Sequence, residues 1–209
     1  MLPIEEIVAE FYPVVAGNVQ TNEKGYERWK ELVTNKIKGL MEQKFPYGKL
    51  VERLAALDGI RNFVGEDAEQ FPGYSISFEL DSRYEDSFSR VRTLWINISM
   101  LTDIVTFFVE DQLYSKEIAK AMGEKAIPPA RYLYNHAAAE GSMVILLGKV
   151  KEILQEELPI HEIIPHILFF EKRFSTELYH NPVKAYPTAF DLLFSYRYAS
   201  SYDLVYATM

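Results

Sequence analysis

The most regular alternation of apolar and polar positions lies in residues 71–111. Tyr74, Ile76, Phe78 and Leu80 alternate with Ser75, Ser77 and Glu79, the period-two pattern of a strand with one apolar face. Leu94, Ile96, Ile98 and Met100 repeat it. After the turn-like Leu101-Thr102-Asp103, residues 104–110 are β-branched and aromatic, with Val105, Phe107 and Val109 on one side and Ile104, Thr106 and Phe108 on the other. The pattern predicts an antiparallel meander that buries one face and needs helices to cover it.

Elsewhere the period lengthens to that of a helix. Ile4, Ile7, Val8, Phe11 and Val15 recur at three- and four-residue steps, which predicts a helix over 3–15 with Pro3 in its first turn and Gly17 and Asn18 as stops. A second helix begins at Thr21 or Asn22, either of which can cap it. Trp29, Leu32, Val33, Ile37, Leu40 and Met41 form its stripe. Leu50, Leu54 and Leu57 predict a short third helix ending at Asp58-Gly59. The polar stretch 61–70 reads as a surface loop. The charged stretch 81–90, where Arg83 and Arg90 mix with Asp81, Glu85 and Asp86 ahead of Arg92, reads as a solvated hairpin end with no need of a ligand.

Residues 115–123 have the spacing of a short helix. Pro128-Pro129 holds the backbone extended and marks a sub-boundary near 124–130 within a single domain spanning 1–209. A long helix is expected over 137–158, lined by Met143, Leu146, Leu147, Val150, Ile153, Leu154 and Leu158. Gly141 and Gly148 each weaken it by about 1 kcal/mol relative to alanine. Residues from Pro165 fit a further helix, although 166–170 is short and apolar enough to be a fourth strand. The fold class that results is α+β: a three- to four-stranded antiparallel meander covered by N-terminal and C-terminal helices.

Composition narrows the function. At 209 residues and 48% hydrophobic content the chain can bury a full core. A formal net charge of −8 disfavours a grip on phosphate backbones, so no nucleic acid is expected and a basic protein partner suits the chain better. There is no cysteine, which removes disulfides, thiolate zinc sites and a cysteine nucleophile. The N-terminus carries Glu5 and Glu6 where a signal peptide carries Lys or Arg, and no apolar run is long enough for a bilayer. A cytoplasmic protein without a membrane span is expected.

Candidate chemistry is sparse. His161 and His166 lie five apart, which on a helix turns their rings about 140° from each other, and Pro165 intervenes, so they do not make the i, i+4 zinc pair. Arg131 to His136 and Arg173 to His180 match the loose arginine-to-histidine spacing of the HEPN ribonucleases. In such a site arginine stabilises phosphorane-like charge while histidine moves the 2′-hydroxyl proton. Those enzymes are all-helical, which the strands here contradict, and a pattern of such latitude arises by chance. His136 and Glu140 are at i, i+4 and can pair as base and orienter. No nucleophile elbow, P-loop or dinucleotide fingerprint occurs, so no cofactor is expected. The acids Asp81, Glu85, Asp86 and Asp103, Glu110, Asp111 hold a cation only if hairpin ends converge, and no metal site is assigned.

Tyr198, Tyr202 and Tyr206 have the spacing of a helical stripe, with Arg197 and Asp203 beside it. Tyrosine brings a large apolar face and a hydroxyl at low entropic cost, so the stripe serves equally as core or as an anchor for a partner. Two functions of different class follow. One is a non-catalytic binding or regulatory protein for another macromolecule, using the tyrosine-rich tail. The other is an enzyme, hydrolase or ribonuclease-like, whose site assembles around Arg131, His136 and Glu140 or around His161 and His166. A homodimer is compatible with either the sheet edge or the aromatic tail.

Overall fold

The computed structural model describes residues 3–12, 14–15, 18–20, 27, 30–32, 34–35, 38–39, 42, 47–67, 72–115, 117, 130–134, 141–177, 187–194 and 204–207. The chain opens with α1 (Ile4–Phe11), shorter than the apolar spacing alone suggests. Tyr12 leaves the helix at φ −118°, ψ 123°, the extended conformation forced on a residue that precedes a proline, here Pro13. β1 (Val14–Val15) and β2 (Asn18–Gln20) follow and pair antiparallel. Residues 27, 30–32, 34–35 and 38–39 are helical, in keeping with the expected second helix. Its capping positions Thr21 and Asn22 lie outside the described residues. The third helix is α2 (Gly48–Ala55), with its C-cap at Ala56; the turn that follows carries Gly59 at φ 95°, a left-handed value that glycine adopts without penalty.

The main sheet contains β3 (Asn62–Asp67), β4 (Gly73–Tyr84), β5 (Phe88–Ser99), β6 (Ile104–Ser115), β7 (Ala130–Tyr134), β8 (Glu162–Ile163) and β10 (Leu204–Ala207). Their order is β10-β7-β6-β5-β4-β3, with β8 attached beside β6. β3 to β7 pair antiparallel, whereas β8 and β10 are parallel to their neighbours β6 and β7. β7 and β8 share one edge of β6: β8 takes Ile104 and Val105, β7 takes Val109 to Leu113. Between and after these strands come α3 (Ser142–Glu157), α4 (His166–Glu171), β9 (Ser175–Glu177) and α5 (Ala189–Leu193). β9 lies parallel to β2 and completes a separate three-stranded sheet.

The class is α+β, with helices flanking a mostly antiparallel open sheet, and the sheet is wider than the alternation indicated. The stretch 61–70, expected as a loop, contains β3. Its apolar content is Phe63 and Val64, too little for a period to show. The strand forms through backbone pairing with β4, and the Phe63 ring rests 5.6 Å from that of Phe78. Likewise the loop expected over 81–90 shrinks to a turn at 85–87, because the ladder runs on as far as Tyr84 and Ser89; it sets Asp81 opposite Arg92, Arg92 opposite Asp111 and Arg83 opposite Arg90, whose like charges Asp81 offsets. β7 was not expected, and Pro128 and Pro129 before it lie outside the described residues. The ambiguous residues 166–170 are helical. The helix that starts after Pro165 ends at Glu171, and Ser175–Glu177 is strand.

One face of the sheet carries Tyr74, Ile76, Phe78, Leu94, Ile96, Ile98, Val105, Phe107 and Val109. It packs on Leu50 and Leu54 of α2 and on Leu146, Leu147, Val150, Ile153 and Leu154 of α3. Gly141, at φ 58°, precedes α3 rather than interrupting it; residues 137–140 lie outside the described set. Arg53 ties α2 to α3, 2.6 Å from both Glu156 and Glu157. The other face is covered as well, by α1, α4, α5 and Phe174. Phe108, Phe169, Phe190 and Phe194 are fully buried there, each favouring the folded state by about 1.5–3 kcal/mol relative to exposure. α5 starts from a capping box in which Thr188 Oγ1 accepts from Asp191 N and Asp191 Oδ2 accepts from Thr188 N.

Candidate functional site

The face expected to be polar and solvated is instead an interior. Ser75, Ser77, Thr93, Asn97, Ser99, Thr106 and Glu110 are all buried. Ser75, Asn97 and Thr106 are register partners in a row across β4, β5 and β6. Ser75 Oγ donates to Asn97 Oδ1 at 2.9 Å, while Asn97 Nδ2 and Thr106 Oγ1 have no partner among the described residues.

Further along this face the period-two geometry brings Trp95, Phe108, Glu110, Arg131 and Leu133 together. Glu110 is fully buried, with Oε1 2.6 Å from Arg131 Nη1 and Oε2 accepting from Trp95 Nε1 at 2.7 Å. A carboxylate in such a place needs a cation and hydrogen bonds to replace its water. His166, the first residue of α4, is also fully buried, its ring 5.2 Å from Phe108 and 6.2 Å from Phe170. Burial pushes its imidazole down to about 4; the Leu133 backbone opposes that shift, although neither ring nitrogen reaches hydrogen-bond geometry. The ring is therefore neutral near pH 7 and sealed from solvent, an arrangement suited to packing.

At the far end of the long strands, on the side of α2 and α3, lies a lattice of charge in which Asp81, Arg90, Arg92 and Asp111 are partly buried and Arg61 and Arg83 exposed. Arg92 grips Asp111 bidentately, Nε to Oδ1 at 2.7 Å and Nη2 to Oδ2 at 2.8 Å, with the Tyr134 ring 5.9 Å from its guanidinium. Burial, with Asp111 nearby, pushes the Tyr134 hydroxyl up to about 12. Asp81 gathers three arginines: Arg90 Nη2 at 2.8 Å, Arg61 Nη2 at 2.9 Å and Arg83 Nε at 3.5 Å. The Arg90 hydrogen bond, helped by the charges of Arg61 and Arg83, holds the Asp81 carboxyl below the usual carboxylate range. Of the two acidic groups seen in the sequence, Asp81 and Asp111 reach the same end of the sheet but stand on either side of Arg92, and the other acids do not join them as a cation cage. Asp103 precedes β6 and Asp111 is eight residues on, about 26 Å at the rise of a strand, and Glu110 faces the opposite side of the sheet from Asp111. Among the described residues no group of three or more His, Asp or Glu side chains is placed to hold a metal.

The third feature is β3, the last strand of the main sheet in the described residues. Phe63 and Val64 are 44% and 60% exposed, and the register slips between Phe63 and Gly65, so Val64 sits in a bulge. The strand contains neither lysine nor proline, the residues that usually blunt an edge. Glu66, near its end, accepts from the Tyr74 hydroxyl.

No protein-family model, no curated protein and no solved structure matches this chain. Of the residues singled out from sequence, Arg131 lies in β7 bonded to Glu110, His166 is the buried start of α4, and His161 is half-buried in the bend before β8. His136, Glu140, Arg197, Tyr198 and Tyr202 lie outside the described residues. Tyr206 is in β10, opposite Tyr132 of β7. A helical stripe through Tyr206 is thus corrected to a strand, because the open edge of β7 offers its backbone groups a parallel partner. The sequence reading placed Glu110 in an acidic group and missed its role. The signal was a lone acid following Ile104, Thr106 and Phe108 on the same strand face. No helix in the described residues is long and apolar enough to cross a membrane.

Proposed function

We propose that this chain is a non-catalytic cytoplasmic protein that binds another protein at the open edge of its main sheet. What carries the reading is the exposure of Phe63 and Val64 on β3, which pairs only with β4 among the described residues and carries neither lysine nor proline. Such an edge accepts an extended segment as an added strand, with exposed side chains as anchors. The bulge at Val64 keeps two long edges from zipping together and favours a short segment. Because β3 ends in Glu66 and Asp67 and the chain carries a net charge of −8, a segment bearing Lys or Arg is the complementary one. The burial of His166 and the pairing of Glu110 with Arg131 also favour binding over chemistry.

The test compares the immobilised native chain with Val64→Lys, checked by circular dichroism for an unchanged fold, against extract of the native host. A protein retained by the native chain and released by Val64→Lys supports the reading. Identical retention by both, or none, overturns it.

A further inference from the structure

We propose that the layer of α1, α4 and α5 is an acid-operated cover: protonation of His166 releases it from the sheet while the α2–α3 layer stays in place. It is independent of what binds at β3. Among the described residues the Asp, Glu and His side chains that are fully buried are Glu110, His166 and Asp191, and all of them lie on the α1–α4–α5 side of the sheet. The α2–α3 side buries an apolar core without any of these groups. Glu110 is held by Arg131 and Trp95, and Asp191 accepts from Thr188 N and Oγ1. His166 differs. Neither of its ring nitrogens has a partner, and its ring neighbours are Phe108 and Phe170.

The other elements packed on α4 supply no spare counter-charge. β10 holds no acid, histidine or cation, and on α1 both Glu5 and Glu6 are exposed, Glu5 bonded to Lys172. An imidazolium formed at His166 meets neither carboxylate nor water, so opening is what accommodates the charge. Imidazole is also the first side chain to charge on acidification. The layer is tied to itself by hydrogen bonds: Tyr12 Oη donates to the Leu192 carbonyl at 2.8 Å, joining α1 to α5, and Ala189 N donates to the Lys172 carbonyl at 2.9 Å, joining α5 to the end of α4. It meets the sheet through rings, with Phe170 and Phe190 each edge-on to Phe108. With the imidazole at about 4 in the closed state and 6.5 in the open one, the opening equilibrium rises about twentyfold between pH 7 and pH 5.

Amide hydrogen exchange of the full chain is followed by NMR at pH 7 and pH 5, with rates corrected for intrinsic exchange. The expected result is opening about twentyfold more frequent at pH 5 for amides of α4 and α5, with those of Leu147, Val150 and Leu154 in α3 unchanged, and loss of that ratio in His166→Leu. Reading the ratio between two pH values cancels any constant destabilisation by the substitution. Should His166→Leu not fold, the ring Cε1–H signal of His166 in the native chain decides, since its titration must follow the same pH course as exchange in α4. An equal rise in both layers, no rise in either, a rise retained in His166→Leu, or a ring that protonates without faster exchange overturns the proposal.

Discussion

Glu110 and Arg131 form an ion pair between neighbouring strands that the second helical layer covers, 2.6 Å from Oε1 to Nη1, with the other carboxylate oxygen held by Trp95. Removing one charge from such a pair strands the other in a low-dielectric interior. Arg131→Met is therefore expected to lower stability by about 3–5 kcal/mol, measured by urea unfolding at pH 7. Removing both charges in Arg131→Met with Glu110→Leu recovers most of the loss. If the double variant is as unstable as the single one, the cost lies in packing and not in the stranded charge.

His166 makes stability depend on pH in a defined window. Its folded-state pKa of about 4 lies below its ordinary value of 6.5, so the unfolded chain binds the proton more readily. Its contribution is complete above pH 6.5 and is lost as pH falls towards 4, by about 3 kcal/mol at most. His166→Leu flattens the unfolding free energy between pH 6.5 and 4.5. Of the acid-sensitive carboxylates held below their ordinary range by arginine hydrogen bonds, Asp81, ordinarily at 3.8, acts below that window, whereas Glu157, ordinarily at 4.5, begins to act at its lower end. A native profile that is already flat there refutes the assignment.

Gly73 opens β4 where α5 ends. A Cβ at this position lies 2.4 Å from the Phe194 carbonyl oxygen and 2.8 Å from its Cα. Backbone atoms cannot swing aside as a side chain does, so Gly73→Ala must separate α5 from the sheet. The expected loss is about 1–3 kcal/mol in thermal or urea unfolding. Gly65→Ala, with open space around its Cβ, is the control and changes little.

Arg92 uses two different nitrogens on Asp111 and lays its guanidinium against Tyr134. A lysine keeps the charge but has no planar fork. Arg92→Lys is expected to cost about 1 kcal/mol, seen as a lower urea midpoint with an unchanged slope. Full retention of stability shows that charge alone holds β5 to β6 at this end.

The middle of the sheet is legible from the alternation around Ile76, Ile96 and Phe107, because a buried strand cannot break that period without moving its apolar set into water. α2 and α3 are legible for the same reason at the helical period. β3 and β10 are not: their pairing is made by backbone groups that every residue owns, so Asn62 or Leu204 gives no sign of it. The burial of Ser75, Asn97 and Thr106 is equally hidden, since it depends on Phe169, Phe190 and Phe194, which reach that face only after tertiary folding. The Asp81 cluster reads in sequence as mixed charge. A linear count cannot reveal that Arg61, Arg83 and Arg90 meet at one carboxylate.

The pairing of Leu204 with Ala130 dictates an order of assembly. β4, β5 and β6 can zip through short turns as soon as they are synthesised, but β7 gains β10 as its outer neighbour only after the intervening helices have been made. Closing such a distant contact carries a larger entropic cost than forming a hairpin, so docking of β10 is a late event in folding. Until then β7 is itself a bare margin, and a chain lacking β10 is more prone to aggregate than one in which β10 has docked.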